Sequence, residues 1–166
     1  MKVGLVHGRF QPFHKGHKFL VDKMLKECDL GVVLIGSAQK NDNNNPYTLK
    51  QRLCMIREIY KNEKKLFIGA NIDLDSPHSE DSPWDVVLSS CVLSLTGHLP
   101  TDIYAGIDYS VQWRRINIEI NKHRRYNDIS GTDIKKLIRQ GRFTEVEDLV
   151  PKEVYKYLRE TNPNKD

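Results

Sequence analysis

Short apolar runs, each followed by a helical repeat, restrict this chain more than any other feature of its sequence. Residues 3–7, Val-Gly-Leu-Val-His, make a strand-length apolar run that stops at Gly8. Residues 14–28 then place Phe19, Leu20, Met24 and Leu25 at helical spacing. Residues 30–36, Leu-Gly-Val-Val-Leu-Ile-Gly, are continuously apolar, as strands covered on both faces are. Strand, helix and strand make a βαβ unit, whose strands lie parallel with a right-handed crossover.

The alternation continues. Residues 41–46 are rich in Asn and end in Pro, a loop composition, and Thr48 behind them can cap a helix carrying Leu49, Leu53, Ile56 and Tyr60. Residues 66–72 read as a third strand. Pro83 starts a helix with Val86, Val87, Cys91, Val92 and Leu95, and residues 103–107 read as a fourth strand. Helices over 131–140, closed by Gly141, and over 152–159 complete the chain. The expected fold is α/β: a Rossmann-like, doubly wound parallel sheet with helices on both faces and ligands at the carboxyl ends of its strands. A chain of 166 residues suits one domain, read as 1–160, with 161–166 as a frayed tail.

A net charge of +4 favours anionic partners without choosing among them. Cys28, Cys54 and Cys91 are odd in number, far apart and free of any CxxC spacing, so neither a disulfide framework nor a zinc cluster is expected; they read as buried thiols in a reducing compartment. The first residues lack a signal-type apolar core, and no stretch approaches the ~18 apolar residues that span a bilayer. A soluble cytoplasmic protein without a membrane partner is the expectation. The acidic, turn-rich residues 73–83 stand out because long loops in compact domains are often functional.

The densest chemistry lies where the first strand meets the first helix: Gly8-Arg9-Phe10-Gln11-Pro12-Phe13-His14-Lys15-Gly16-His17. A first helical turn has unpaired N–H groups and a partial positive charge, and Arg9, His14, Lys15 and His17 add donors and cations, so the natural guest is phosphate. His14 and His17 are three apart and share one helix face, while Gly16 leaves room for a nucleotide to approach the backbone. A surface loop with solvated histidines is the bland alternative for any single His. The run as a whole resembles the HxGH signature of a nucleotidyltransferase superfamily. In its fuller form it is similar to the archaeal-type nicotinamide mononucleotide (NMN) adenylyltransferases, a branch also found fused to Nudix domains. Arg9 and Gln11 separate it from the pantetheine-phosphate adenylyltransferase and cytidylyltransferase versions.

Further segments extend the resemblance. Gly36-Ser37-Ala38-Gln39 and Asn45-Pro46-Tyr47-Thr48 with Arg52 are similar to the branch's GSAQ and NPFT…ER segments, which implies mononucleotide binding by Gly36, Ser37, Gln39 and Arg52. An arginine fork suits a monophosphate, although a solvated helix arginine is the ordinary alternative. Ser130-Gly131-Thr132-Asp133-Ile134-Lys135 resembles SGTxIR, whose hydroxyls and arginine hold the β- and γ-phosphates; here the arginine position is Lys135, with Arg139 or Arg124 and Arg125 nearby. Plain capping competes for Ser130 and Thr132. Gly106-Ile107-Asp108 resembles a GxD turn that approaches the nucleotide ribose. Trp84 stands where relatives stack an aromatic on nicotinamide, but the spacing of the acidic residues before it is not kept, so Asp75 or Asp73 takes the acidic role.

What the resemblance implies is adenylyl transfer: ATP plus NMN gives NAD and pyrophosphate. His14, His17, Arg9 and Lys135 would be catalytic. Gly8, Phe10, Gly16, Gly106, Asp108, Ser130, Thr132 and Arg139 would bind ATP, and Trp84 and Asp75 would join the mononucleotide set. The acceptor's own ionised phosphate attacks, so no protein nucleophile is required. Mg²⁺ would bind through the ATP phosphates, with no protein metal cage. Three alternatives remain open at this point: a superfamily transferase with another phosphorylated acceptor, a non-catalytic nucleotide sensor, and a nucleic-acid module using Lys122, His123, Arg124 and Arg125. That last run has no interleaved aromatics beyond Tyr126, so a solvated basic patch is its plainer reading. A homo-oligomer is compatible with the sequence but not indicated by it.

Overall fold

In a computed structural model, residues 1–74 and 82–161 are described. Five strands form one sheet: β1 (Val3–Gly8), β2 (Leu30–Ile35), β3 (Leu66–Ala70), β4 (Asp102–Gly106) and β5 (Glu119–His123). All pairings are parallel, in the order β3-β2-β1-β4-β5. The fold is therefore the expected α/β sheet, with one more strand than the apolar runs signalled. β5 reads Glu-Ile-Asn-Lys-His and lies at an edge, so it carries polar residues where buried strands carry apolar ones.

Helices follow the strands: α1 (Lys15–Glu27), α2 (Leu49–Ile59), α3 (Trp84–Thr96), α4 (Gly131–Arg139), α5 (Phe143–Glu147) and α6 (Lys152–Thr161). Side chains of β1 alternate between two cores, as a pleated strand requires. Val6 joins Met24, Met55, Ile134 and Val154 beneath α1, α2 and the C-terminal helices. Val3 and Leu5 join Trp84, Leu88 and Val92 of α3 on the other face. The short α5 was not visible as a period in the sequence. α6 runs through Thr161, whose hydroxyl bonds Tyr157 O, so the proposed tail begins one residue later and lies outside the described residues.

Sheet order fixes where a ligand can go. From β1 the chain steps one way to β2 and β3 and the other way to β4 and β5, which makes the β1/β4 boundary the topological switch point. Loops diverge there, leaving a crevice at the carboxyl ends. Among the described residues, no helix is long and apolar enough to cross a membrane. The cysteines divide: Cys28 is buried, Cys91 half-buried, and Cys54 exposed, against the expectation of three buried thiols.

Candidate active site

His14 is the N-cap of α1. Its Nδ1 accepts from the Gly16 and His17 N–H groups at 3.1 and 3.4 Å, and His17 Nδ1 accepts in return from the His14 N–H at 3.2 Å. This reciprocal cap normally uses a hydroxyl and a carboxylate or amide. With both Nδ1 atoms accepting, the proton of each neutral ring sits on Nε2. The rings stack with centroids 3.6 Å apart and 20° between planes, and Phe10 meets His17 edge-on at 4.9 Å. Burial pushes the His14 pKa down to about 4, with the Arg125 charge acting the same way. Burial, then repulsion from His14, lowers His17 well below its ordinary value. Two neutral donors result, not two cations.

The sequence reading of several neighbours changes with their placement. Gly16 is required by the cap itself, because a Cβ there would lie 2.9 Å from the His14 ring. Phe10, expected to touch ATP, is 1% exposed and packs under His17. Lys15, counted among the phosphate donors, turns away to Asp148 O at 2.8 Å.

Beside the histidines lies a cavity of about 650 Å³, within the range of small-molecule sites. Its walls come from the strand ends (His7, Gly106), from α1 (His14, Gly16, His17, Phe19), from Asp108, Arg124, Arg125 and Tyr126, and from the start of α4 (Ser130, Thr132). A Cβ on Gly106 would meet nothing within 4 Å, so the floor is open there. Asp108 pairs with Arg125 at 3.1 Å. The basic run proposed for nucleic acid is thus divided: Lys122 lies within β5, while His123 at its end lines the cavity with Arg124 and Arg125. Tyr126 stacks on Phe19 at 5.4 Å.

Ser130 caps α4: its Oγ accepts from Asp133 N–H at 3.2 Å and donates to Asp133 Oδ2 at 2.9 Å. One turn on, Lys135 Nζ donates to Asn44 O at 2.6 Å, and Arg139 Nη2 donates to Asn43 O. Burial lowers the Lys135 pKa, and the charges of Arg139 and Arg9 lower it further. Three cations therefore share one neighbourhood against loop 41–45. Lysine and arginine both bond carbonyl oxygens of that loop. The Asp42 carboxylate in that loop offsets part of their mutual repulsion, and a bound anion would offset more.

The turn after β2 departs furthest from expectation. Arg52, expected to grip the mononucleotide phosphate, is fully buried. All its donors go to backbone oxygens: Thr48, Arg9, Gly36, Ser37 and Ala38. A guanidinium has five N–H groups, and a direct phosphate contact would need one to be released. Ser37 is 3% exposed, and its hydroxyl donates to Asp73 Oδ1 at 2.8 Å. Gln39 Oε1 accepts from Asp73 N–H at 3.2 Å, and Lys40 Nζ pairs with Asp73 Oδ2 at 2.8 Å. Asp73 thus gathers the GSAQ turn, while Asp75 lies outside the described residues. Trp84 is 5% exposed within the α3 core, 6.4 Å from the His7 ring, so packing occupies most of the surface expected to stack on a base.

Three residues have roles that the sequence reading did not give them, Gln11 among them although it was counted in the first motif. His7, next to last in β1, lines the crevice, and a Cβ on Gly36 would lie 2.9 Å from its Nε2; in sequence it reads only as the last residue of an apolar run. Gln11 makes a paired contact with Tyr47, donating to its O at 2.8 Å and accepting from its N–H at 2.9 Å, which ties the first loop to the NPYT segment. Asp85 is fully buried and accepts from the Arg114 and Arg115 N–H groups and the Arg115 guanidinium at 3.1, 2.8 and 2.8 Å. Burial works against its ionisation, but the Arg115 and Arg114 contacts outweigh it and hold the carboxyl below the usual range. An acid at the start of a helix looks like ordinary dipole compensation in sequence.

Fold and site define a nucleotidyltransferase: the chain belongs to the cytidylyltransferase-like family, which it matches over residues 5–137. Its relatives are more particular. It is 36% identical to the nicotinamide-nucleotide adenylyltransferase of Methanococcus maripaludis strain C6 over 157 residues, covering 92% of this chain and 86% of that one. It is 31% identical to the enzyme of the same name from Pyrobaculum aerophilum, covering 93% and 85%. Among solved structures, it resembles a bifunctional NMN adenylyltransferase/ADP ribose pyrophosphatase from Francisella tularensis, complexed with AMP and a manganese ion. The TM-score is 0.70 at 20% identity, covering 95% of this chain and 51% of that one. This chain spans about half of that bifunctional protein, and the likeness concerns the fold.

Proposed function

We propose that this protein is an NMN adenylyltransferase, transferring AMP from ATP to NMN to give NAD and pyrophosphate. The observation that carries the reading is the capped pair His14 and His17: two neutral imidazoles, locked with Nε2 as donor, at the edge of a nucleotide-sized cavity. The names of the Methanococcus and Pyrobaculum relatives supply the acceptor.

An oxygen of the NMN phosphate attacks the ATP α-phosphorus, the bond to the bridging oxygen breaks, and pyrophosphate departs with the electron pair. The attacking oxygen is already ionised, so the protein's work is alignment and charge stabilisation. The cavity takes adenosine, with Gly106 and Asp108 at the ribose. Gly8 and Gly16 let the α-phosphate approach, and His14 and His17 donate to it from Nε2; the first N–H groups of α1 are themselves taken, Lys15 N–H by Leu149 O and the Gly16 and His17 N–H by His14 Nδ1. Ser130, Thr132, Arg9, Lys135 and Arg139 receive the β- and γ-phosphates. Gly36, Ser37 and Gln39 shape the mononucleotide half beside Trp84, with Asp75 as the acid of its loop.

The donor set around the triphosphate is cationic and hydroxylic. That chemistry suits a divalent cation, Mg²⁺ by preference, held by phosphate oxygens and water while Arg9, Lys135 and Arg139 hold the phosphates. When bound, it would neutralise charge on the leaving pyrophosphate.

A second reading, adenylyl transfer to another phosphorylated acceptor, draws on the burial of Trp84. Pyrophosphate release decides between them, measured with ATP or CTP and a panel of NMN, nicotinate mononucleotide, phosphopantetheine and phosphocholine. The proposal expects release with ATP and a pyridine mononucleotide. ATP binding without release under every acceptor would make the protein a sensor.

A further inference from the structure

One charged side chain of the site has no evident binding role. Arg52 is buried on α2 beneath two turns, and among the described residues no carboxylate is hydrogen-bonded to it. Burial lowers its pKa and the charge of Asp73 opposes this, but the Asp73 carboxylate itself bonds Ser37 and Lys40. A buried cation hydrogen-bonded only to neutral carbonyls is a costly core residue, and a leucine or methionine would fill the same space without desolvating a charge.

What an aliphatic residue could not do is bridge. Nη1 donates to one carbonyl of each turn, Arg9 O at 2.9 Å and Gly36 O at 2.8 Å. Nη2 continues along the second turn to Ser37 O at 3.1 Å and Ala38 O at 3.4 Å. Each turn contains a residue other than glycine in the left-handed region, Phe10 at φ 54° and Ser37 at φ 48°. Such conformations persist only where surrounding contacts over-determine them. The carbonyls held are those on the peptide groups that enter these two residues, together with the two that follow Ser37. One planar fork thus fixes both turns and the gap between them.

We propose that Arg52 is a positioning residue that sets the spacing between the donor half of the site, on the Arg9 turn, and the acceptor half, on the Gly36–Ala38 turn, without contacting either substrate. The inference rests on the adenylyl-transfer reading and adds a residue to it. Each substrate binds on one turn, so loosening the bridge leaves both binding surfaces intact. In-line attack needs the two phosphates in register, and a displacement of about 1 Å can lower a rate by about 100-fold. The signature is therefore a change in kcat rather than in KM.

Arg52→Lys keeps the charge and most of the stem but replaces the five-donor fork with one ammonium, which cannot span both turns. The expected result is a kcat reduced by about 30- to 100-fold, with the KM values for ATP and NMN each within about threefold of wild type. A selective rise in the NMN KM with kcat preserved would make Arg52 a phosphate ligand and overturn the proposal. So would a lowered Tm with kcat per folded molecule unchanged, the mark of a purely structural role. Should the variant not fold, side-chain ¹⁵N spectra of the wild type answer the same question: the Arg52 Nη protons should exchange slowly and keep their shifts when ATP, NMN or inorganic phosphate is added. Shifts as large as those of Arg9 would refute it. A wild type that released no pyrophosphate from ATP and NMN would sink the functional reading, while the phosphate and ATP spectra would still report on Arg52.

Discussion

The stacked histidines make a prediction about stability as well as catalysis. Burial places the folded-state pKa of His14 at about 4, against an ordinary value of 6.5, so between those limits the unfolded chain binds a proton that the folded chain refuses. Stability from this group is complete above pH 6.5 and is lost as pH falls toward 4. For a single site with those two values, the loss reaches about 2 kcal/mol at pH 5 and about 3 kcal/mol at pH 4. His17 is depressed in the same direction and adds to the effect. The control is the double variant His14→Asn/His17→Gln, which retains an N-cap acceptor and an amide at the third helical position while removing both titrations. Urea unfolding of both proteins from pH 7.5 to 4.5 should show the wild type losing at least about 2–3 kcal/mol more than the variant across that window, the share of His14 alone. Parallel stability curves would mean that the imidazoles titrate normally, and the description of them as neutral donors would be wrong.

Two further expectations concern groups that hold the phosphates and the loops. Lys135→Ala and Arg139→Ala should each raise the ATP KM about tenfold, equivalent to ~1.4 kcal/mol, with Lys135→Arg close to wild type; steady-state kinetics with ATP varied would refute the cation cluster if both alanine variants kept the wild-type value. Asp85→Ala should destabilise the protein by about 3–5 kcal/mol, because two backbone N–H groups and a guanidinium lose a buried charged acceptor; a chemical unfolding curve shifted by less than about 1 kcal/mol would mean that the 114–115 loop does not depend on it.

The sequence carried the architecture well where burial wrote it. β1 and β2 are buried on both faces and read as unbroken apolar runs, and Thr48 and Ser130 announced their helices by capping chemistry. β5 did not show, since an edge strand of Glu, Ile, Asn, Lys and His has no apolar period, and the five-residue α5 is too short for one. At the site, the juxtaposition of His14 and His17 was legible because residues three apart share a face at a helix start. Arg52 is hard to read for a physical reason: an arginine fork binds a phosphate and a set of carbonyls with the same donors, and sequence does not show that this one is buried among carbonyls. Trp84 poses the same problem, since an aromatic suited to a base is equally suited to a core. His7 and Asp85 could not be found from spacing, because what gives each its place is contact across elements far apart in sequence.

The central claim is a single in-line displacement on the ATP α-phosphorus, with no covalent intermediate on the protein. The stereochemical course tests it most directly. With ATP made chiral at the α-phosphorus by sulfur substitution, and NMN as acceptor, one displacement predicts a thio-NAD product inverted at that phosphorus. Retention of configuration would require two displacements through an adenylylated side chain, and it would contradict the account of this site as one that aligns two substrates and supplies no nucleophile of its own.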